Sequence, residues 1–180
     1  MRVIAGEWRG RKLIAPKNDA TRPTADRTRE TLFSMLTSRV GSFEGLYVAD
    51  LFAGSGALGI EALSRGAAQC LFGEQDKGAL DALRQNLAAL GAAPRADVRA
   101  GSVLGLGPAR RSFDLLLFDA PYQTGAGSVA LDKLSRLGWV RPDSWISVET
   151  GERESVDVAG FAIDAERRVG TAKLTLLRPE

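Results

Sequence analysis

Histidine is absent from this sequence, and cysteine occurs once, at Cys70. Without imidazole there is no Ser-His-Asp triad, no histidine general base and no zinc site of the usual nitrogen-ligand kind. One thiol excludes an intramolecular disulfide, and its place in the apolar run 68–72 predicts a buried, inert side chain. Chemistry therefore falls to carboxylates, hydroxyls, amides or a bound cofactor, with no metal. Long apolar runs are lacking too. None approaches the ~20 residues of a membrane helix, and Met1 to Glu7 hold no apolar stretch of a secretion signal. A cytoplasmic protein with no membrane partner is the default expectation. Excess charge is also small, at a formal net +2.

That small charge is unevenly placed. Residues 1–30 hold eight Lys/Arg and four Asp/Glu, a net +4, against −2 for the remainder. A basic segment on a near-neutral body suits a polyanionic partner held at one end. The 180 residues are enough for one core and a small appendage, with 44% hydrophobic and 26% charged residues as in a globular protein. The expected division is a basic β-hairpin extension over 1–20 and a main domain over 21–180, in a monomer. In the extension, the strand-like runs Arg2–Ala5 and Lys12–Ala15 flank Gly6-Glu7-Trp8-Arg9-Gly10. Arg2, Trp8, Arg9, Arg11 and Lys12 form a candidate RNA contact: cations for phosphate and a ring for stacking. Trp8 has a second reading, in which it packs the hairpin onto the body.

The main domain alternates strands and helices. A helix starts near Thr24, after Arg22-Pro23, with Leu32, Phe33, Leu36 and Val40 at helical spacing and Gly41 closing it. Strands are expected over 46–52, 69–73, 95–100, 113–118 and 145–149, with helices over 58–64, 77–90 and 128–137. A closing hairpin spans 161–168 and 172–178. Such alternation predicts an α/β fold, a mostly parallel sheet with helices on both faces. Phe113–Phe118 is the most apolar strand and belongs at the centre.

Ligands of such sheets bind at the carboxyl ends of the strands. Asp50 ends the first strand, and Gly54-Ser55-Gly56 with Gly59 follow in G-x-G-x-x-G spacing. Glu74 ends the second strand, twenty residues after Gly54, where a carboxylate can accept from both hydroxyls of a ribose. Gly101-Ser102 ends the third strand, where an adenine edge would lie. Ala53 and Gln75, adjoining the glycine turn and the acid, complete the candidate cofactor site on this side. A nicotinamide dinucleotide and S-adenosylmethionine both suit the pattern. Asp50 places negative charge where a pyrophosphate would be repelled and an ammonium attracted, which favours S-adenosylmethionine.

After the central strand come Asp119, Ala120, Pro121 and Tyr122, the candidate catalytic group. This grouping suits methylation of an exocyclic amino group on a base. The Asp119 carboxylate and the residue 120 carbonyl can accept its two N–H bonds and localise its lone pair. Pro121 fixes the turn, and Tyr122 stacks on the base.

Together, Asp50–Gly59 with Glu61-Ala62-Leu63-Ser64-Arg65-Gly66-Ala67, the N-terminal Met1–Gly6 with Arg9-Gly10-Arg11, and Arg22-Pro23-Thr24 with Arg29–Phe33 resemble the bacterial 16S rRNA guanine-N2 methyltransferases of the RsmD type, from residue 1 to about 150. The resemblance implies a class I methyltransferase (Rossmann-like) fold of seven strands and S-adenosyl-L-methionine as cofactor. It implies a substrate guanine, guanine(966) of 16S rRNA, on the RNA itself or a small ribosomal subunit assembly intermediate. It keeps Asp50, Gly54, Gly56 and Glu74 at the cofactor and sets Arg22, Pro23 and Thr24 beside its methionine portion. Two residues depart from the family pattern. Ala120 stands where a first proline is usual, at a loss of ~1 kcal/mol of rigidity by analogy with proline's effect on chain entropy. Ser102 stands where an acid often meets the adenine amino group. An amino-methyltransferase of another RNA or of DNA, a non-catalytic RNA-binding assembly factor, and an NAD-dependent oxidoreductase remain the alternatives.

Overall fold

The computed structural model describes residues 1–15 and 22–180, with nothing taken from the side chains of residues 22–24. The expected parallel sheet with helices on both faces is present. Its strands are β1 (Tyr47–Leu51), β2 (Gln69–Glu74), β3 (Ala96–Ala100), β4 (Phe113–Phe118), β5 (Val140–Gly151), β6 (Phe161–Val169) and β7 (Ala172–Pro179). Their spatial order is β3-β2-β1-β4-β5-β7-β6. Strands β1 to β5 pair in parallel, whereas β7 runs antiparallel to both β5 and β6. This is the Rossmann-like class I methyltransferase arrangement with an N-terminal extension. The helices are α1 (Arg22–Val40), α2 (Ala57–Ser64), α3 (Lys77–Leu90) and α4 (Ala126–Arg136).

Hydrophobic pattern explains the layers. β4, Phe-Asp-Leu-Leu-Leu-Phe, lies in the middle of the sheet, and Leu115, Leu116 and Leu117 are fully buried. One apolar cluster joins Leu83, Leu63, Phe33, Leu115 and Leu117 on one face; another joins Leu116, Phe118, Leu131, Leu134 and Ile146 on the other. Successive β4 residues thus alternate between the two clusters, as period-two side chains must. Apolar residues recur along α3, and Asp76 caps that helix by accepting from Ala79 N at 2.8 Å.

Three boundaries differ from the sequence reading. α1 begins at Arg22, so Pro23 lies in its first turn, where a missing N–H costs nothing. β5 begins at Val140 rather than Trp145, because Arg141-Pro142-Asp143 continues the strand across a register irregularity opposite Phe113 and Leu115. Proline is tolerated in a strand at such a bulge. The N-terminal extension is not a regular hairpin. Among its described residues it holds a single antiparallel bridge, Arg2 to Lys12, with backbone bonds from Val3 N to Arg11 O and from Leu13 N to Met1 O.

The extension is fastened to α2 and α3. Glu61, wholly buried, accepts from Ile4 N at 2.9 Å and Ala5 N at 3.0 Å. Ser64 Oγ accepts from Trp8 N and donates to Ala5 O. The Asn86 side chain accepts from Ile14 N and donates to the carbonyls of Ile14 and Ser55. A β-carbon on Gly6 would come within 1.9 Å of Ser64 O, so only glycine permits this approach.

Candidate active site

The parallel pairing of β1, β4 and β5 brings three acids to the same end of the sheet. Asp50 lies in β1, opposite Leu117 of β4. Asp119 follows Phe118, and Phe118 is paired with Val148, so Asp119 and Glu149 become neighbours. They open onto a cavity of about 760 Å³. Glu74 and Asp76, from the end of β2, line it as well, together with Gly54, Ser55, Gln75, Gly101 and Ser102. Ala53, Ala120, Pro121 and Tyr122 complete much of the wall. The fold therefore collects into one cavity nearly every cofactor and catalytic residue singled out from the sequence. Gly56 stands just behind the wall, at the start of α2. Arg22, Pro23 and Thr24 lie outside the residues whose side chains are described.

The glycines divide their duties. Gly54 (φ +59) has open space beyond its Cα, so a ligand can approach the backbone there. Gly56 (φ +91) precedes α2 in the left-handed region, and a β-carbon on it would meet Leu83 at 2.3 Å. At Gly59 the β-carbon would meet the Phe72 ring at 2.3 Å and Cys70 Sγ at 2.7 Å, so this glycine serves helix–sheet contact.

Glu74 holds the turn from the other side. One oxygen accepts from Gly54 N at 2.7 Å; the other accepts from Gln75 N at 2.9 Å and Asp76 N at 2.7 Å. Its lone pairs are not exhausted, so acceptance from a ribose is compatible with this job. Ser102 Oγ accepts from Leu104 N at 3.2 Å, capping a short turn at the rim.

Asp50 is the buried member. One carboxyl oxygen accepts from Gly59 N at 2.8 Å, and the other, Oδ1, has no partner among the described residues. Burial pushes its pKa up to about 7, against the Gly59 hydrogen bond and with help from the Glu74 charge. An orphaned acceptor at a cavity wall calls for a donor or cation from a ligand. Arg29 is the only cationic side chain among the described residues lining the cavity. It is already engaged with Asp26 at 3.3 Å, with Glu61 at 3.6 Å and with the carbonyl of Arg2. This donor set fits the ammonium and sulfonium charges of S-adenosylmethionine and repels a pyrophosphate.

Beside it, Tyr122 Oη donates to Glu149 Oε2 at 2.6 Å, and the Asp119 and Glu149 carboxyls interact as neighbours. Neighbouring carboxyls in such a place can share one proton between them. Burial first, then the Glu149 charge, raises the Asp119 pKa well above the usual range. Asp119 is exposed to the cavity, so water there tempers that effect. Burial likewise raises Glu149, opposed by the bonds from Tyr122 and Asp119. The Tyr122 phenol is raised by burial and by its bond to Glu149, so it stays protonated and its ring is 40% exposed at the mouth.

The sequence reading missed Glu149, Arg29, Thr28, Phe52 and Met1, all of which line the cavity. Glu149 had a readable signal, an acid at the carboxyl end of a strand adjoining the central one. Met1 and α1 had none, because their approach depends on the extension folding back. One assignment is corrected. Trp8 is buried, 6% exposed, with Arg95 over its ring at 5.4 Å, so no face of it is free to stack on a base. Its packing on the body takes the second of the two readings. Arg2, Arg9, Arg11 and Lys12 are exposed, though Arg2 and Arg11 each spend one donor on the carbonyls of Gly10 and Ala89.

Known proteins are similar to this chain in sequence and fold. The pattern of the family described as conserved hypothetical protein 95 matches residues 1–178. Ribosomal RNA small subunit methyltransferase D of Escherichia coli (strain K12) is 34% identical over 182 residues, covering 100% of this chain and 90% of that protein. The protein of the same name from Haemophilus influenzae is 39% identical over 154 residues, 83% of this chain and 78% of that one. A solved structure of yhhF from Escherichia coli, provisionally named a methyltransferase, superposes with a TM-score of 0.86 at 35% identity, covering 100% of this chain and 98% of that chain.

Proposed function

From the premise that this chain belongs to the conserved hypothetical protein 95 family and is a homologue of ribosomal RNA small subunit methyltransferase D, we propose that it methylates the exocyclic N2 amino group of one guanine in 16S rRNA, guanine(966). The carrying observation is the juxtaposition of Asp50, with its orphaned oxygen, and Asp119 at the ends of adjacent strands. One acid suits a cationic methyl donor and the other a base amine. The names of the relatives point to small-subunit ribosomal RNA as the substrate class, and the choice of guanine N2 follows from the sequence resemblance.

S-adenosylmethionine supplies an electrophilic methyl group when bound. Gly54 leaves its backbone open to it; Glu74 would hold its ribose and Asp50 its ammonium, with Ala53, Ser55, Gln75, Gly101 and Ser102 as the remaining walls. Asp119 and the Ala120 carbonyl accept the two N–H bonds of the guanine amine. That interaction pulls electron density back to a nitrogen otherwise conjugated with the ring. Pro121 restricts the turn and Tyr122 offers its exposed ring for stacking. Alignment of amine and methyl group in this enclosed site supplies most of the acceleration. Arg2, Arg9, Arg11 and Lys12 hold RNA phosphates. This reading places the protein in the cytoplasm, acting as a monomer on 16S rRNA or a small ribosomal subunit assembly intermediate.

Purified protein offered naked 16S rRNA, small subunits lacking the methyl group, and duplex DNA tests the substrate class. Methyl incorporation into subunits or rRNA is expected, with none into DNA. Preferential labelling of DNA adenine would replace this reading by its closest alternative, since any exocyclic amine meets the same acceptors.

A further inference from the structure

Resting on the reading of the cavity as an amino-methylation site, we propose that Glu149 is a positioning residue and the terminal acceptor of the proton that the amine gives up. It acts through Asp119. The geometry is a chain of three groups from two elements: Asp119 after β4, Glu149 in β5, and the Tyr122 phenol, donating to Glu149 Oε2 at 2.6 Å. Asp119 is exposed to the cavity and Glu149 stands half-buried beside it. The first meets the amine, and the second stands one bond further from it.

The step balances as follows. The N2 lone pair forms the new N–C bond as the S–C bond breaks, its electrons staying on the departing sulfur. The nitrogen then carries a positive charge and one hydrogen too many. That proton moves to the cavity-facing oxygen of Asp119. The proton Asp119 already holds passes along its hydrogen bond to Glu149. The pair goes from one shared proton to two and returns to its starting state by losing one to water.

This explains why the pair is built beside Tyr122. A lone buried carboxylate would be a weak hydrogen-bond acceptor once protonated, whereas the pair keeps an unprotonated oxygen toward the amine. The Tyr122 bond stabilises the charge on Glu149 and ties the stacking ring to the same pair. Charged groups facing Glu149 are Asp119 and Tyr122 from the loop after β4, and Asp50 from β1 interacts with Asp119. Glu154, which follows β5, accepts from Gly151 N at 2.6 Å and interacts with Tyr122. From β7, Leu174 is paired with Glu149, and Lys173 is paired with Thr150, so Lys173 faces the other side of the sheet.

Two measurements on the purified protein test this. Infrared or carbon-13 carboxyl spectra of the cofactor-free protein at neutral pH report the shared proton without any turnover. Asp50 also holds a proton near pH 7, so the spectra are taken in Asp50→Asn, where a protonated carboxyl is expected and is expected to disappear when Glu149→Gln is added. The pH profile of single-turnover methyl transfer reports the relay. Glu149→Gln is expected to lower the plateau rate by at least about tenfold. Its acidic limb should move to lower pH, because Asp119 loses the neighbouring charge. Tyr122→Phe is expected to move that limb the other way, as Glu149 loses a stabilising bond. Glu149→Asp, which keeps the carboxyl, should restore part of the rate, and S-adenosylmethionine binding by dialysis checks that each variant is folded. An unchanged plateau and pH limb in Glu149→Gln, or no protonated carboxyl in the Asp50→Asn protein, overturns the proposal. Failure of the wild type to methylate any RNA would instead overturn the functional reading, while the spectra still decide whether the proton is shared.

Discussion

Asp50 is where a single residue's environment has the largest consequence. Its pKa of about 7 arises from burial, with one oxygen bonded to Gly59 N and one without a partner among the described residues. A carboxyl that binds its proton more tightly when folded favours the folded state at low pH. That contribution is complete below the unfolded value near 4 and is lost as pH rises through 7. A cationic ligand beside Oδ1 favours the ionised form and so releases the proton. S-adenosylmethionine affinity is therefore expected to fall by about tenfold per pH unit below 7, and Asp50→Asn should flatten that dependence while weakening binding at pH 8. Calorimetric titrations from pH 6 to 8 check this; a wild-type affinity independent of pH would contradict it. Gly59 makes a second residue-scale prediction. A β-carbon there would collide with the Phe72 ring and Cys70. Gly59→Ala should cost about 1–3 kcal/mol by overpacking, read from urea denaturation.

At the scale of elements, the extension, α1 and α2 are joined through one buried carboxylate. Glu61 accepts from two backbone amides of the extension and pairs with Arg29 of α1 and, at 3.0 Å, with Arg65. Removing it leaves two part-buried amides without their acceptor and takes one of the two acidic partners of the buried Arg29 guanidinium. Glu61→Ala is expected to cost about 3–5 kcal/mol, as for other broken buried ion pairs, and to expose residues 1–15 to limited proteolysis. Protection equal to wild type would show that apolar contacts of Val3, Trp8 and Leu13 suffice. The elements themselves were largely readable. Strand β4 was recognisable as central from its unbroken apolar run, and β6 and β7 from turn residues between two β-rich runs. The Trp8 burial was not, because a tryptophan beside arginines reads alike whether its ring meets a base or the back of α2. β5 was shortened by Pro142, a local signal that a bulge overrides.

For the molecule as a whole, the cavity is lined mainly by acids and the extension is mainly basic. Acidic groups gather at the carboxyl ends of the central strands, and exposed arginines lie on the extension. The glycine turn, Asp50, Glu74 and Asp119 were legible because chain order fixes which strand ends carry them. Glu149 became part of the site only once β5 was seen to lie beside β4, a fact of sheet order rather than of local pattern. If the extension holds RNA phosphates, affinity falls with salt, and replacing Arg9 and Arg11 by alanine should reduce the slope of log K against log salt by roughly 1–2 in total. Filter binding to 16S rRNA at several salt concentrations reads that slope, and an unchanged slope would remove these arginines from the interface.

Mass mapping of 16S rRNA from cells lacking this protein tests the central claim most directly. The account predicts that guanine(966) is unmethylated at N2 in those cells, that the wild-type gene restores the methyl group, and that Asp119→Ala does not. A guanine still fully methylated without the protein would contradict it.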